Sequence, residues 1–274
     1  MRGFSGLGSF LLLLLLPPLV QPASAEYAPV HGLRMYYEVR GEPGRPVVVF
    51  LHGGMNSIHS SFARQLEQFS RTRRVIAIDQ MGHGRTADLP GRALSYEAMA
   101  EDTAALLAHL GIPKADLVGW SDGGQIALRL AVAHPSLIRR VVASGVGLGA
   151  SDRMRRNLAN PQSWERLVNH GFPEGRAEYN RVSPDGARHW SVYAEKARSM
   201  WAASSWGFTP ADLNRIKLPV MIVSGDRENV EEAMRVRKAI PQARLCVLPG
   251  TSHATFQERP EWLNRLVMDF LDEK

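Results

Sequence analysis

The sequence has only one cysteine, Cys246, among its 274 residues. A single thiol cannot form an internal disulfide, so we expect the fold to depend on its hydrophobic core and not on cross-links. Cys246 alternates with apolar neighbours in the stretch RLCVLPG. That pattern favours a small buried side chain over a reactive thiol.

Apolar runs long enough to cross a membrane are missing as well. The uninterrupted run near the N-terminus covers only residues 10–16, whereas a spanning helix needs about 20 residues. The run follows Arg2 and precedes Ala23-Ser24-Ala25, a small-x-small cleavage site. We therefore expect residues 1–25 to be a secretory signal peptide, and the mature protein to be periplasmic or secreted without a stable membrane anchor.

The distribution of charged residues along the sequence does not indicate a continuous basic surface. Lysine and arginine number 33 against 27 aspartate and glutamate residues, which gives a formal net charge of +6. The basic residues are scattered, and the local clusters at 71–74 and 153–156 are interleaved with other residue types, unlike a nucleic-acid-binding module. The carboxylates and histidines also lack close metal-ligand spacing. We expect no nucleic-acid partner, metal or cofactor.

The chain does contain short apolar runs that alternate with helical patterns. We predict helices over residues 95–110, 123–133, 230–240 and 260–272, each with a plausible boundary residue such as Ser95 or Pro260. We predict strands over residues 33–39, 46–52, 74–79, 115–120, 140–145, 219–225 and 244–250. This alternation predicts an α/β fold with a mostly parallel sheet covered on both faces.

One segment, residues 147–216, breaks the alternation. It contains no convincing strand but holds four of the six tryptophans. A segment of this length is too long for a simple loop. We predict a helical cap over residues 147–216, inserted into a core formed by residues 26–146 and 217–274. Such a cap would lie over the carboxyl edge of the sheet, where α/β proteins bind ligands.

The stretch Gly119-Trp120-Ser121-Asp122-Gly123 matches the nucleophile-elbow motif G-x-S-x-G, directly after a predicted strand and before a predicted helix. The turn is tight enough to require small residues two before and two after the nucleophile. Ser121 has glycines at both offsets, whereas Asp122 would have Trp120 two residues before it. The motif therefore favours Ser121 as nucleophile over an aspartate nucleophile of the dehalogenase or epoxide-hydrolase type.

A serine nucleophile needs a general base and a carboxylate to orient it. His253 follows the last predicted strand, and the chain order serine, acid, histidine fits it. Two acids, Asp226 and Glu228, follow the preceding strand in VSGDREN, and either could serve. An oxyanion needs two N–H donors. We assign them to the backbone of Asp122, directly after the nucleophile, and of Gly54 in LHGGM.

The segments PVVVFLHGG, VIAIDQMGHGRT, LVGWSDGGQIAL, PVMIVSGDRE and VLPGTSH stand in the order and spacing of the α/β-hydrolase family. The sequence resembles that family over essentially the whole mature chain. The resemblance implies a mostly parallel eight-stranded sheet flanked by helices, with a helical cap insertion. It also points to Glu228 as the acid, because many relatives carry theirs three residues after the glycine of G-x-x-D. This sequence has glutamate where aspartate is common.

The resemblance implies a serine hydrolase that cleaves a small carboxylic ester through an acyl-enzyme. Cleavage of an amide or of a carbon–carbon bond, cofactor-free perhydrolysis, and a ligand-binding protein without turnover are the alternatives. The GWSDGG elbow is similar to that of the biphenyl-hydrolase-like esterases, the group that includes valacyclovir hydrolase. Two interpretations of the Asp122 side chain follow: an acid favoured by the helix dipole, or a fixed negative charge that selects substrates with an ammonium group.

Overall fold

The computed structural model describes residues 24–203 and 207–273. Their core is one eight-stranded sheet with the spatial order β1-β2-β4-β3-β5-β6-β7-β8. Only the β1–β2 and β2–β4 pairs are antiparallel. The strands are β1 (Ser24–Val30), β2 (Leu33–Arg40), β3 (Val47–Leu51), β4 (Arg74–Ile78), β5 (Ala115–Trp120), β6 (Ile138–Ser144), β7 (Val220–Gly225) and β8 (Arg244–Leu248). The predicted α/β architecture with a mostly parallel sheet is confirmed.

Helices follow each of the strands β3 to β8. They are α1 (Ile58–Ser70), α2 (Tyr96–His109), α3 (Asp122–Ala133), α4 (Asp152–Ala159), α5 (Pro161–Arg166), α6 (Pro173–Val182), α7 (Trp190–Ala202), α8 (Pro210–Asn214), α9 (Val230–Ala239), α10 (Thr255–Glu258) and α11 (Pro260–Asp272). Four of them, α2, α3, α9 and α11, match the helices that the sequence predicts. Helix α1, which Ser57 caps at its N-terminus, is not among those predictions.

The inner parallel strands β3, β4, β5 and β7 are buried on both faces, which explains their continuous apolar sequences. On one face of the sheet, Val49 and Leu51 pack in the same core cluster as residues of α2, α3 and α9. On the other face, Val48 and Phe50 pack with residues of α1 and α11. The helices therefore cover both sides, and the carboxyl edge of the parallel strands stays free to carry side chains and loops.

Strand β1 overlaps the cleavage site that the sequence predicts. Ser24 pairs with Val39 and Ala25 pairs with Glu38 of β2. Removal of residues 1–25 would shorten β1 by these two residues and leave the pairs from Glu26 to Val30. The apolar run of the predicted signal peptide lies outside the described residues. Within the described ranges, no helix combines the length and the hydropathy that a membrane span needs.

Between β6 and β7 the described chain forms helices α4 to α8 and no strand. We call residues 152–214 the helical insertion. Its aromatic side chains belong to the same core cluster as one face of the sheet. Their rings also pack on each other; Tyr179, for example, stacks on Tyr193 with ring centroids 5.6 Å apart. The insertion is therefore packed onto the body of the protein by an aromatic layer.

Candidate active site

Ser121 occupies the sharp turn between β5 and α3. Its backbone has φ 54° and ψ −118°, a left-handed φ that is rare and strained for a residue other than glycine. The flanking glycines have no room for a side chain. A Cβ at position 119 would lie 2.2 Å from the carbonyl oxygen of Gly123, and a Cβ at position 123 would lie 1.9 Å from that of Leu51. The tight turn between β5 and α3 therefore requires glycine at positions 119 and 123.

His253 lies in the loop after β8, and one hydrogen bond holds its ring while another holds its backbone. The Nδ1–H donates a hydrogen bond to Oε1 of Glu228 at 2.5 Å. The backbone carbonyl of His253 accepts a hydrogen bond of 2.7 Å from Nε1 of Trp120, the residue before Ser121. The carboxylate fixes the tautomer of the imidazole, because Nδ1 must carry the proton and Nε2 is then free to act as a base.

The second predicted acid, Asp226, lies elsewhere. It is exposed, and it accepts a hydrogen bond of 3.1 Å from the backbone N–H of Thr251. Backbone hydrogen bonds from Gly250 and Thr251 lower the pKa of Asp226. Asp226 therefore supports the turn after β8, while the structure brings Glu228 and not Asp226 to His253.

The turn after β3, residues 53–57, lies directly against the elbow; we call it the oxyanion loop, after the oxyanion donor that the sequence predicts at Gly54. A Cβ at position 54 would lie 2.2 Å from Oδ2 of Asp122 and 2.6 Å from Cζ2 of Trp201, so only glycine fits between them. No hydrogen bond within the described residues uses the N–H of Gly54. Asp122 begins α3, so its N–H has no acceptor within the helix. Both predicted donors are available to a ligand.

The side chain of Asp122 is turned inward and is only 7% exposed. It accepts a hydrogen bond of 2.7 Å from the hydroxyl of Tyr96, and Nε1 of Trp201 donates to both of its carboxylate oxygens at 3.1 and 3.0 Å. Burial raises the pKa of Asp122 to about 6, although the hydrogen bonds from Tyr96 and Trp201 act in the opposite direction. Asp122 is thus a buried, hydrogen-bonded carboxyl group beside Ser121, and not a solvated acid at a helix end.

One cavity of about 440 Å³ brings the candidate residues together. Ser121, Glu228, His253, Gly54 and Asp122 all line it. Its apolar wall comes from the helical insertion and includes Met154, Leu158, Leu167 and Phe172. Arg153, Gln125 and Glu232 contribute polar groups. The site therefore combines an elbow serine, a histidine–carboxylate pair and two free backbone donors with a mainly apolar pocket.

Sequence analysis did not identify Tyr96, Tyr193 or Trp201 as functional residues. Tyr96 and Trp201 bind the carboxylate of Asp122 from positions 26 and 79 residues away. Tyr193 lies in α7 and bonds the backbone of the oxyanion loop. None of the three belongs to a local motif, so only the tertiary structure identifies them. Among the described residues, no group of three or more histidine, cysteine or acidic side chains could hold a metal ion.

Comparisons with known proteins agree with this fold. The chain is 24% identical over 266 residues to the uncharacterized hydrolase YugF of Bacillus subtilis, covering 88% of this chain and 96% of that protein. It is 26% identical over 251 residues to the human serine hydrolase BPHL, covering 88% of this chain and 84% of that protein.

A solved structure shows the same architecture. The 2-hydroxy-6-oxo-6-phenylhexa-2,4-dienoate hydrolase of Rhodococcus sp. strain RHA1 superposes with a TM-score of 0.75 at 22% identity, over 93% of this chain and all of that one (100%). At this identity the likeness concerns the fold. Residues 48–266 of this chain match the alpha/beta hydrolase family. That span includes the elbow, the oxyanion loop and the histidine–carboxylate pair, and the chain therefore belongs to the α/β hydrolase family.

Proposed function

We propose that this protein is a serine hydrolase that cleaves a small carboxylic ester through an acyl-enzyme. The observation that carries the proposal is the hydrogen bond of 2.5 Å between Nδ1 of His253 and Glu228, in the same cavity as the strained Ser121. This pair gives a serine hydroxyl the base that it lacks by itself. The name of one relative, the human serine hydrolase BPHL, supports a serine nucleophile.

In the first step, Ser121 Oγ attacks the ester carbonyl while Nε2 of His253 takes its proton. The carbonyl oxygen becomes an oxyanion, which accepts hydrogen bonds from the backbone N–H groups of Gly54 and Asp122. Glu228 stabilises the imidazolium that forms. His253 then gives the proton to the leaving alkoxide, the carbon–oxygen bond of the ester breaks, and the acyl group stays on Ser121.

In the second step, water attacks the acyl-enzyme while His253 takes one of its protons. The tetrahedral intermediate uses the same two donors. Its collapse releases the carboxylic acid and returns the proton from His253 to Ser121. The mainly apolar cavity of about 440 Å³ suits a small acyl group.

A fluorophosphonate probe tests the nucleophile. We expect covalent labelling of the wild type and none of the Ser121→Ala variant. Ser151→Ala is the matched control, because Ser151 lines the same cavity but lies outside the elbow; it should label like the wild type. Equal labelling of Ser121→Ala and wild type would contradict the proposal.

A panel of p-nitrophenyl esters of increasing acyl length tests the substrate class. We expect the highest kcat/KM for short acyl groups. The same residues could cleave an amide or a carbon–carbon bond, or form a peracid, and a chain labelled by the probe but inactive on every ester would favour those reactions. Tight binding of esters without labelling or turnover would indicate a ligand-binding protein.

A further inference from the structure

We propose that Tyr193 is a positioning residue for the oxyanion loop, so that the helical insertion supports the chemical step as well as enclosing the pocket. The inference rests on the proposed serine-hydrolase function. It concerns a hydrogen bond between two parts of the chain that are 138 residues apart.

The hydroxyl of Tyr193 accepts a hydrogen bond of 2.9 Å from the backbone N–H of Met55. Tyr193 is only 1% exposed, and Met55 is equally buried. Met55 has φ 57°, a left-handed value that is unfavourable for a side chain of this kind. A buried N–H requires a partner, and a strained residue persists only where its surroundings hold it. Tyr193 supplies that support.

The peptide groups on either side of Gly54 are held by hydrogen bonds. The carbonyl of Gly53 accepts from Nδ1 of His52 at 2.9 Å, and the carbonyl of Gly54 accepts from Nδ2 of Asn56 at 2.9 Å. These two contacts come from the loop itself and its preceding residue. The Met55 N–H belongs to the same peptide group as the Gly54 carbonyl, and its partner Tyr193 comes from the helical insertion. Tyr193 thus fixes the orientation of that peptide from outside.

Helix α6 covers the outer side of the same loop. A Cβ on Gly175 would lie 2.1 Å from the carbonyl oxygen of Met55, so the helix backbone touches the loop backbone. Three residues further along α6, the carboxylate of Glu178 accepts hydrogen bonds from the Ser57 hydroxyl and, at 3.2 Å, from the backbone N–H of Ser60. Glu178 thereby binds the N-terminus of α1, where the loop ends.

Helix α7 is itself attached to the connection between β4 and α2. Nζ of Lys196 donates to Asp88 at 2.7 Å and to the carbonyls of Leu89 and Arg92 at 3.0 Å each. Two turns after Tyr193, the ring of Trp201 borders Gly54. Because α7 is anchored between these contacts, the Tyr193 hydroxyl has a fixed position from which to set the loop.

The test is Tyr193→Phe, which removes one oxygen atom and keeps the aromatic ring. With p-nitrophenyl butyrate as substrate, we expect kcat to fall by about 10- to 100-fold, as for a misplaced catalytic group, and KM to change less than about twofold. Tyr179→Phe is the matched control, because Tyr179 stacks on Tyr193 in the same aromatic layer but has no hydrogen bond to residues 53–57 in the described part of the chain. Its kcat and KM should equal those of the wild type.

A transition-state analogue separates positioning from general destabilisation. A trifluoromethyl ketone forms a tetrahedral adduct with a serine and needs the oxyanion donors. Its Ki should rise in Tyr193→Phe by the same factor by which kcat/KM falls, and should not change in Tyr179→Phe. Gly175→Ala displaces the loop from the α6 side and should show the same linked change in Ki and kcat/KM. Thermal unfolding of each variant checks that it is folded.

The outcomes distinguish this inference from the proposed function. An inert wild type, neither labelled by fluorophosphonate nor active on esters, contradicts the serine-hydrolase assignment and this inference with it. The positioning role alone is overturned if the wild type is labelled and active but Tyr193→Phe has the same kcat and the same ketone Ki as Tyr179→Phe.

Discussion

Nε1 of Trp120 donates a hydrogen bond of 2.7 Å to the backbone carbonyl of His253. The residue that immediately precedes the elbow serine therefore holds the loop that carries the histidine. The two rings also lie close, with centroids 5.6 Å apart. This hydrogen bond joins the elbow to the histidine loop, although the two residues are 133 positions apart in sequence.

We expect Trp120→Phe to lower kcat on p-nitrophenyl esters about tenfold, because the loop of His253 loses its anchor and the imidazole its alignment. Trp262→Phe is the control, since Trp262 is 53% exposed on α11 and is not among the residues that line the cavity; its kcat should not change. A Trp120→Phe enzyme with wild-type kcat would show that the hydrogen bond has no catalytic consequence.

We expect Glu228→Gln to lower kcat by at least about 100-fold, because an amide can neither stabilise the imidazolium nor enforce the tautomer. Asp226→Asn should change kcat by less than about threefold, since Asp226 is an exposed turn residue bonded to Thr251. Steady-state kinetics of the two variants decide between the acids. A larger loss in Asp226→Asn than in Glu228→Gln would reverse the assignment.

The raised pKa of Asp122 predicts that the free energy of unfolding depends on pH. The folded protein holds this proton with a pKa of about 6, above the ordinary value of 3.8. The stabilising contribution of protonated Asp122 is therefore complete below about pH 4 and is lost as the pH rises through 6. This shift corresponds to about 3 kcal/mol.

Urea unfolding of wild type and Asp122→Asn at pH 4 and pH 7 measures this contribution. We expect the unfolding free energy of the wild type, relative to the variant, to fall by up to about 3 kcal/mol between these pH values. A difference that is the same at both pH values would mean that Asp122 titrates normally in the folded protein.

The same carboxyl group gives a prediction about selectivity. Above about pH 6 Asp122 is ionised, and Tyr96 and Trp201 give it hydrogen bonds but no positive charge. We expect the wild type to prefer aminoacyl esters over alkyl esters of equal size, increasingly so from pH 5 to pH 7, and Asp122→Asn to lose that preference. The ratio of the two kcat/KM values is the measurement. A ratio that the substitution leaves unchanged would favour the interpretation of Asp122 as an acid at a helix N-terminus.

The parts of the fold that sequence analysis predicted are those encoded locally. The parallel strands are continuous apolar runs, and the elbow is a five-residue pattern, so each can be found in a short window. Strand β1 was missed because its first residues, Ser24 and Ala25, coincide with the predicted cleavage site. The partners of Asp122 and of Met55 lie far along the chain, in segments without a motif, so composition and spacing contain no signal for them.

The contacts between α6, α7 and the oxyanion loop have a consequence for building chimeric enzymes. Grafting the segment between β6 and β7 from a relative is an obvious way to transplant specificity. In this protein the segment also carries Gly175, Glu178, Tyr193 and Trp201, which touch residues 54–57 or their neighbours. A graft that lacks counterparts of these side chains would bring a new pocket wall and at the same time remove the contacts that hold residues 54–57 of the recipient in place.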